Sequence, residues 1–264
     1  MKIGIVQTHP VFGDIVRNLQ TIEALINRQP ADLYVLPELC TTGYQFKDRE
    51  EVLELAESIP DGSSTLKLLE IARAAQAFLI AGLAERCGDK VYNSAIVVGP
   101  EGFIGRYRKA HLFGAEKNCF SPGDTPFPVY DLGSARVGVM ICFDWRFPES
   151  MRTLALEGAD IVAHPSNLVL PDCPQSMITR CLENRVFAIT ADRVGAEERV
   201  PGQTMKFIGQ SQAIDPSGKI LARASTDHEE ILVVEINPQD ARNKSINPQN
   251  NLFADRRVDL YRED

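Results

Sequence analysis

The feature that most restricts the fold of this chain is the alternation of short apolar runs with longer amphipathic ones. Lys2 to Gln7 alternates as a strand, and Asn18 to Gln29 follows with Leu19, Ile22, Leu25 and Ile26 on one helical face. Asp32-Leu-Tyr-Val-Leu36 reads as a buried strand, stopped by Pro37 and followed at once by Glu38. Asp48 to Glu57 and Ser64 to Gln76 are helical segments parted by the breaker Pro60-Asp-Gly62, and Phe78 to Leu83 is again an apolar strand. Such alternation predicts a layered α/β fold, in which each helix covers the apolar face of a sheet.

The middle of the chain changes character. Asn93 to Val98 and Phe103 to Arg108 flank Gly99-Pro-Glu-Gly102, a β-hairpin signal leading into Lys109. A similar unit returns at Gln210 to Ile214, Asp215-Pro-Ser-Gly218 and Lys219 to Ala224. Both carry Pro-x-Gly-x-Ile, which suggests two similar sheets facing each other, although Pro-x-Gly is also a common turn in its own right. Between the hairpins come strands at Val137 to Ile141, Asp160 to Ala163 and Val186 to Ala191, with helices at Phe147 to Glu157 and near Ser176 to Glu183. A last strand spans Ile231 to Ile236. The stretch 237–264 is polar, with little apolar face of its own, and should fray or lie across a neighbour. No linker divides the 264 residues, so one domain over 1–264 is expected.

Charge narrows the list of partners. A net charge of -8, with no basic run beyond Arg106-Tyr-Arg-Lys109, argues against nucleic acid. No window approaches the roughly 20 apolar residues of a membrane span, and Met1 to Gln7 is too short for a signal peptide. A cytoplasmic protein is expected. The six cysteines are dispersed without a Cys-x-x-Cys pair, and the four histidines show no i, i+4 pairing, so neither disulfides nor a metal site is expected.

The stretch Arg136 to Ser150 carries the sharpest chemical signal. An apolar strand, Val137-Gly-Val-Met-Ile141, presents Cys142, and Pro148 then suits the first turn of a helix. Amide dipoles at such a junction favour the reactive thiolate, whereas a buried cysteine is otherwise a small apolar side chain. Glu38 and Lys109 also follow strands directly. Ligands in layered α/β folds bind beyond the carboxyl ends of strands, so a carboxylate, an ammonium and a thiol can converge there. As isolated residues, Glu38 and Lys109 would more often be solvated surface charges. Their flanks, Val-Leu-Pro-Glu-Leu and Tyr-Arg-Lys-Ala-His-Leu-Phe, are not those of a surface.

Leu36-Pro-Glu-Leu39 with Thr42-Gly-Tyr44, Tyr107-Arg-Lys-Ala-His-Leu-Phe113, and Gly138-Val-Met-Ile-Cys-Phe-Asp144 with Arg146-Phe-Pro-Glu149 resemble the motifs of the nitrilase superfamily of carbon–nitrogen hydrolases. His164-Pro-Ser-Asn167 and Glu183-Asn-Arg-Val186 extend the match in order across the chain. The resemblance implies an α/β fold, a four-layer α-β-β-α sandwich of two facing mixed sheets. It also implies a Glu38, Lys109 and Cys142 triad, with a second glutamate, Glu116, seven residues after the lysine. It implies no cofactor, and a homodimer or larger homo-oligomer, in which the polar tail 237–264 would pack on a partner subunit.

Hydrolysis of an amide or nitrile needs attack on a weakly electrophilic carbon, and a thiolate divides this into two easier steps through a thioester. In that scheme Glu38 moves the protons, while Lys109 and the backbone N–H of Phe143 stabilise negative charge on oxygen. Glu116 would orient the substrate or balance Lys109, the plain alternative being an ion pair with Lys117 or Arg108. Tyr44, Phe113, Trp145 and His164 are the candidate pocket residues for a small aliphatic amide or nitrile. Amide hydrolysis is the first expectation, nitrile hydrolysis the second, and a catalytically silent binding module the third. A Cys–His pair using His111 or His164 is a weaker reading, because it leaves Glu38 and Lys109 without a role. Asp144, Arg146, Glu149 and Arg185 are expected to support the active loops through ion pairs, and Cys40, Cys119 and Cys181 to be packing residues.

Overall fold

The computed structural model describes residues 1–261 and contains two six-stranded sheets. In the first, Glu230–Glu235, Lys2–Gln7, Leu33–Val35, Phe78–Cys87, Lys90–Gly99 and Gly102–Arg108 lie side by side in that order. In the second the order is Val129–Asp131, Arg136–Val139, Ile161–Pro165, Phe187–Ala191, Gln212–Ile214 and Ile220–Arg223. Taken in these orders, neighbouring strands in both sheets pair antiparallel, parallel, parallel, antiparallel, antiparallel. The two Pro-x-Gly hairpins hold the same place in each sheet, so the repeated turn belongs to a repeated sheet.

Strand alternation then sorts the side chains into layers. Ile3, Ile5, Leu33, Val35, Ile80, Ala95 and Val97 join Val137, Val139, Ile161, Ala163 and Ile189 in one core shared by the two sheets. The intervening Tyr34, Leu79, Ile96 and Val98 point the other way, into a second core beneath helices Ile15–Ile26 and Ser63–Ala75. Helices Pro148–Leu156 and Asp172–Asn184 pack against the second sheet through Met151, Leu154, Met177 and Cys181. The result is the α-β-β-α sandwich. Among the described residues, no helix is long and apolar enough to cross a membrane.

Several element bounds differ from expectation for local reasons. The first helix starts at Ile15, earlier than Asn18, because the Asp14 side chain caps it by accepting the Arg17 N–H at 3.2 Å. Phe78–Cys87 and Lys90–Gly99 are longer than their apolar runs because they pair with each other along their whole length. The edge strand Val129–Asp131 and a hairpin of Ala196–Val200 with Gln203–Lys206 are among the elements that escape sequence reasoning. The first is only three residues long, and the second is polar, so neither shows apolar alternation.

The stretch after Glu235 is held to its own chain. Arg242 bridges Asp160 at 3.0 Å, the Lys244 ammonium donates to the carbonyls of Asn184 and Arg185, and Phe253 packs on the core. Ile246, Val258, Leu260 and Tyr261 remain exposed, and the end of the tail, 262–264, lies outside the described residues.

Candidate active site

Glu38 is placed by the chain that leaves Leu33–Val35. Pro37 ends strand pairing, and Leu39 takes the left-handed conformation at φ 47°, turning the chain sharply after the carboxylate. Gly82 supplies the space for this turn, because a Cβ there would lie 2.4 Å from Glu38 Cα and 2.6 Å from Leu39 N. Gly82→Ala should therefore displace Glu38 and lower kcat on the order of 100-fold, the cost of a misplacement of about 1 Å. Turnover assays on protein of matched thermal stability test this; wild-type kcat would show that the backbone there has slack.

Lys109 follows Gly102–Arg108 and is buried between two carboxylates. Its Nζ donates to Glu38 Oε1 at 2.6 Å and to Glu116 Oε1 at 2.7 Å. Asn93 Nδ2 donates to the same Glu38 oxygen at 2.6 Å, whereas Glu38 Oε2 is buried without a hydrogen-bond partner. Glu116 also accepts the Tyr44 hydroxyl at 2.6 Å and the Phe113 N–H at 3.1 Å. It therefore belongs to the buried cluster and not to a surface pair with Lys117 or Arg108.

Cys142 lies past the end of Arg136–Val139, at the start of a 3-10 turn over Cys142–Arg146. Its φ is 40°, a left-handed conformation that costs a side-chain-bearing residue about 1–3 kcal/mol and persists only when its surroundings impose it. Two contacts do so. Asp144 Oδ2 accepts the Ile141 N–H at 2.9 Å, and the neutral His164 ring meets the Cys142 carbonyl through Nε2 at 2.9 Å. The Cys142 and Phe143 amides precede the first bond of the turn, Asp144 N–H to Ile141 O at 3.0 Å, and so stand as open donors at its start. Asn167 joins the two sheets at this point. Its carbonyl oxygen lies 3.8 Å from Cys142 Sγ and its Nδ2 donates to the Glu38 carbonyl at 2.9 Å.

Burial dominates the electrostatics. It pushes the Glu38 carboxyl up to about 7, while Lys109 pulls it down and Glu116 adds to the rise. Burial also works against the Lys109 ammonium, but Glu116, Glu38 and Cys142 outweigh it and hold its pKa above the ordinary lysine value. The Cys142 thiol is pushed well up by burial and by Glu38, against the pull of Lys109. Burial thus outweighs the pull of the amide dipoles toward the thiolate. Burial lowers His164 to about 4, which keeps its imidazole neutral.

The remaining candidates separate clearly. A cavity of about 30 Å³ borders Cys142, walled by Phe113, Phe143, Trp145, Leu168 and Val169. Tyr44 instead lines a neighbouring cavity of about 170 Å³ beside Glu116, and Phe113 borders both. His164, expected in the pocket, is wholly buried beneath the Cys142 loop and borders neither cavity. His111 pairs with Asp144 at 2.8 Å, so neither imidazole bonds the thiol as a Cys–His pair would require. Asp144, through His111 and the Ile141 N–H, and Arg146, which meets Asp172 at 3.5 Å, support the loop after Cys142 as expected, whereas Arg185 donates to the Asn243 carbonyl and forms no such ion pair. Cys40, Cys119 and Cys181 are buried packing residues. Sequence reasoning missed Asn93, and it saw Asn167 only as part of a motif.

Comparison with known proteins gives the family and the fold. The family model described as carbon-nitrogen hydrolase matches residues 2–244. A Pyrococcus abyssi protein named nitrilase is 51% identical over 99% of this chain and 99% of its own. An (R)-stereoselective amidase from Pseudomonas sp. is 35% identical over 86% of this chain and 82% of its own. A solved glutamate-to-glutamine mutant of the amidase from Nesterenkonia sp. AN1 superposes with a TM-score of 0.80 at 25% identity, covering 98% of this chain and 95% of that one, and carries the acetamide moiety of fluoroacetamide on its active-site cysteine.

Proposed function

This chain belongs to the carbon–nitrogen hydrolase family, and from that premise we propose that it hydrolyses small aliphatic amides through a thioester on Cys142. The observation that carries the reading is the unpartnered, buried Glu38 Oε2 in a cluster whose other acceptor positions are taken by Lys109, Asn93, Tyr44 and Phe113. A buried carboxylate oxygen left without a donor is costly unless a proton is to be exchanged there. Both the Cys142 thiol and the N–H groups of an amide supply such a donor.

The steps follow from the groups present. Glu38 takes the thiol proton as Cys142 Sγ attacks the amide carbon, and the oxygen gains negative charge beside Lys109 and the Phe143 N–H. Glu38 returns that proton to the nitrogen, the C–N bond breaks, and ammonia or an amine leaves. Water then adds to the thioester, giving one proton to Glu38, and the acid departs as the thiol is restored. Glu116 keeps Lys109 in place and faces the leaving nitrogen. The cavity of about 30 Å³ at Cys142 suits an acyl group of a few heavy atoms.

Because the deprotonated form of Glu38 is the base, kcat/KM should rise with pH through a midpoint near 7 and fall about tenfold per unit below it. A flat profile from pH 5 to 8 would remove Glu38 from proton transfer. Nitrile hydrolysis is the second reading, favoured by the name of the 51%-identical relative. Ammonia release from matched small amides and nitriles decides between them: amide turnover with silent nitriles supports the first, and the reverse supports the second. Silence on both, with Cys142 no more reactive toward iodoacetamide than the other thiols, would make the protein a binding module. We further propose that residues 1–264 act as one domain and that two copies pair through the tail. The exposed Ile246, Val258, Leu260 and Tyr261 support this, and a monomer by light scattering would overturn it.

A further inference from the structure

We infer that the cavity beside Glu116 receives the nitrogen substituent of an N-alkyl amide, so that the protein releases primary amines as well as ammonia; this rests on the amidase reading above. Phe113 stands between two spaces of unequal size, about 30 Å³ at Cys142 and about 170 Å³ at Glu116. The acyl carbon must sit at Cys142, and the nitrogen must leave beside Glu38, Lys109 and Glu116, whose contacts join them into one cluster. A group carried on that nitrogen extends past Glu116. Ammonia needs no such room.

The walls fit an apolar occupant. Phe46, Phe113, Phe120, Val200 and Met205 give the cavity its apolar walls; of its polar lining beside Gln203, the Tyr44 hydroxyl is committed to Glu116, and the Gln45 amide donates to the Gln203 carbonyl and accepts the Arg199 N–H. The outer wall is the hairpin Ala196–Val200 with Gln203–Lys206, and it is fixed in place. The buried Glu197 carboxylate accepts the N–H groups of Tyr44 and Gln45, at 3.2 and 2.6 Å, and pairs with buried Arg193. Arg199 adds a bridge to Glu51 at 2.6 Å. These contacts join the hairpin to the loop that carries Tyr44, so the space is a built feature of the site.

The chemistry needs no added reactant beyond water. The Sγ–C bond forms, the C–N bond breaks, and the thiol proton carried by Glu38 leaves on the nitrogen as R–NH2. Water then cleaves the thioester to the acid and restores the thiol.

One acyl group presented as its primary, N-methyl and N-propyl amides provides the test, with acid formation as the readout. The wild-type protein should hydrolyse all three, and kcat/KM should rise about fourfold per buried methylene from N-methyl to N-propyl. Met205→Trp should lower the ratio of N-propyl to primary kcat/KM at least tenfold. Val200→Phe reads the same ratio if Met205→Trp yields no folded protein. Turnover of the primary amide alone would overturn the inference and leave the amidase reading standing, as would a ratio that the filled cavity does not move. Failure on all three amides would overturn the amidase reading, and this inference with it.

Discussion

Cys142→Ala should abolish amide turnover, by a factor of about 10⁴ or more, because no other group in the cluster can form the acyl intermediate. The fold should survive, since the Cβ is kept and only a small buried thiol is lost. Cys142→Gly should be equally inactive yet more stable than Cys142→Ala by about 1 kcal/mol. Glycine adopts φ 40° without the strain that any Cβ brings there. Ammonia release and thermal denaturation of the two variants measure both effects. Turnover within tenfold of wild type would place the nucleophile elsewhere. A glycine variant that melts below the alanine variant would show that the turn holds no strain.

The second large effect concerns the cation. Lys109→Met leaves Glu38 and Glu116 buried without the ammonium that bridges them, and breaking a buried pair in this way costs about 3–5 kcal/mol. Activity should fall about 10²- to 10³-fold, the usual result of removing a charge that stabilises an oxyanion. The stability loss should depend on pH. Lys109 pulls the Glu38 pKa down, so without it Glu38 titrates still further above its unfolded value. The folded state then binds more protons than the unfolded state, so stability is lost as pH rises through that window and regained as it falls. The gap in Tm between variant and wild type should therefore be wider at pH 8 than at pH 5. Adding Glu116→Gln should recover part of the loss at pH 8. A gap independent of pH would mean that the cluster carries no net charge to neutralise.

The layers and the convergence of Glu38, Lys109 and Cys142 were legible because each depends on local pattern. Apolar runs set the strands, breakers set their ends, and the three residues stand just past those ends. Asn93 shows where such reading fails. Counting outward from the Gly99–Gly102 turn pairs it with Arg108, but a bulge between Val97 and Val98 shifts the register by one and pairs Ser94 with Arg108. Asn93 thereby comes opposite Lys109, whose N–H donates to its carbonyl at 2.8 Å. A bulge has no sequence signature of its own here. His164 fails for another reason. A residue on the strand Ile161–Pro165 can point toward the site or beneath it, and only the packing of the Cys142 loop decides which. The thiol's raised pKa was hidden for the same reason, because burial is a property of all the layers together.

The pairing of Lys2–Gln7 with Glu230–Glu235 has a consequence for synthesis. A growing chain holds Glu38, Lys109, Glu116 and Cys142 by the time Cys142 is made, and both Pro-x-Gly hairpins by Arg223. Its first sheet still lacks an edge strand at that point, so Lys2–Gln7 presents unpaired backbone amides and carbonyls to any other chain nearby. Contacts this distant along the chain form late and slowly, and the open edge is the part most exposed to mispairing meanwhile. Closure of that edge by residues 230–235 therefore comes only after Glu38, Lys109 and Cys142 have all been made.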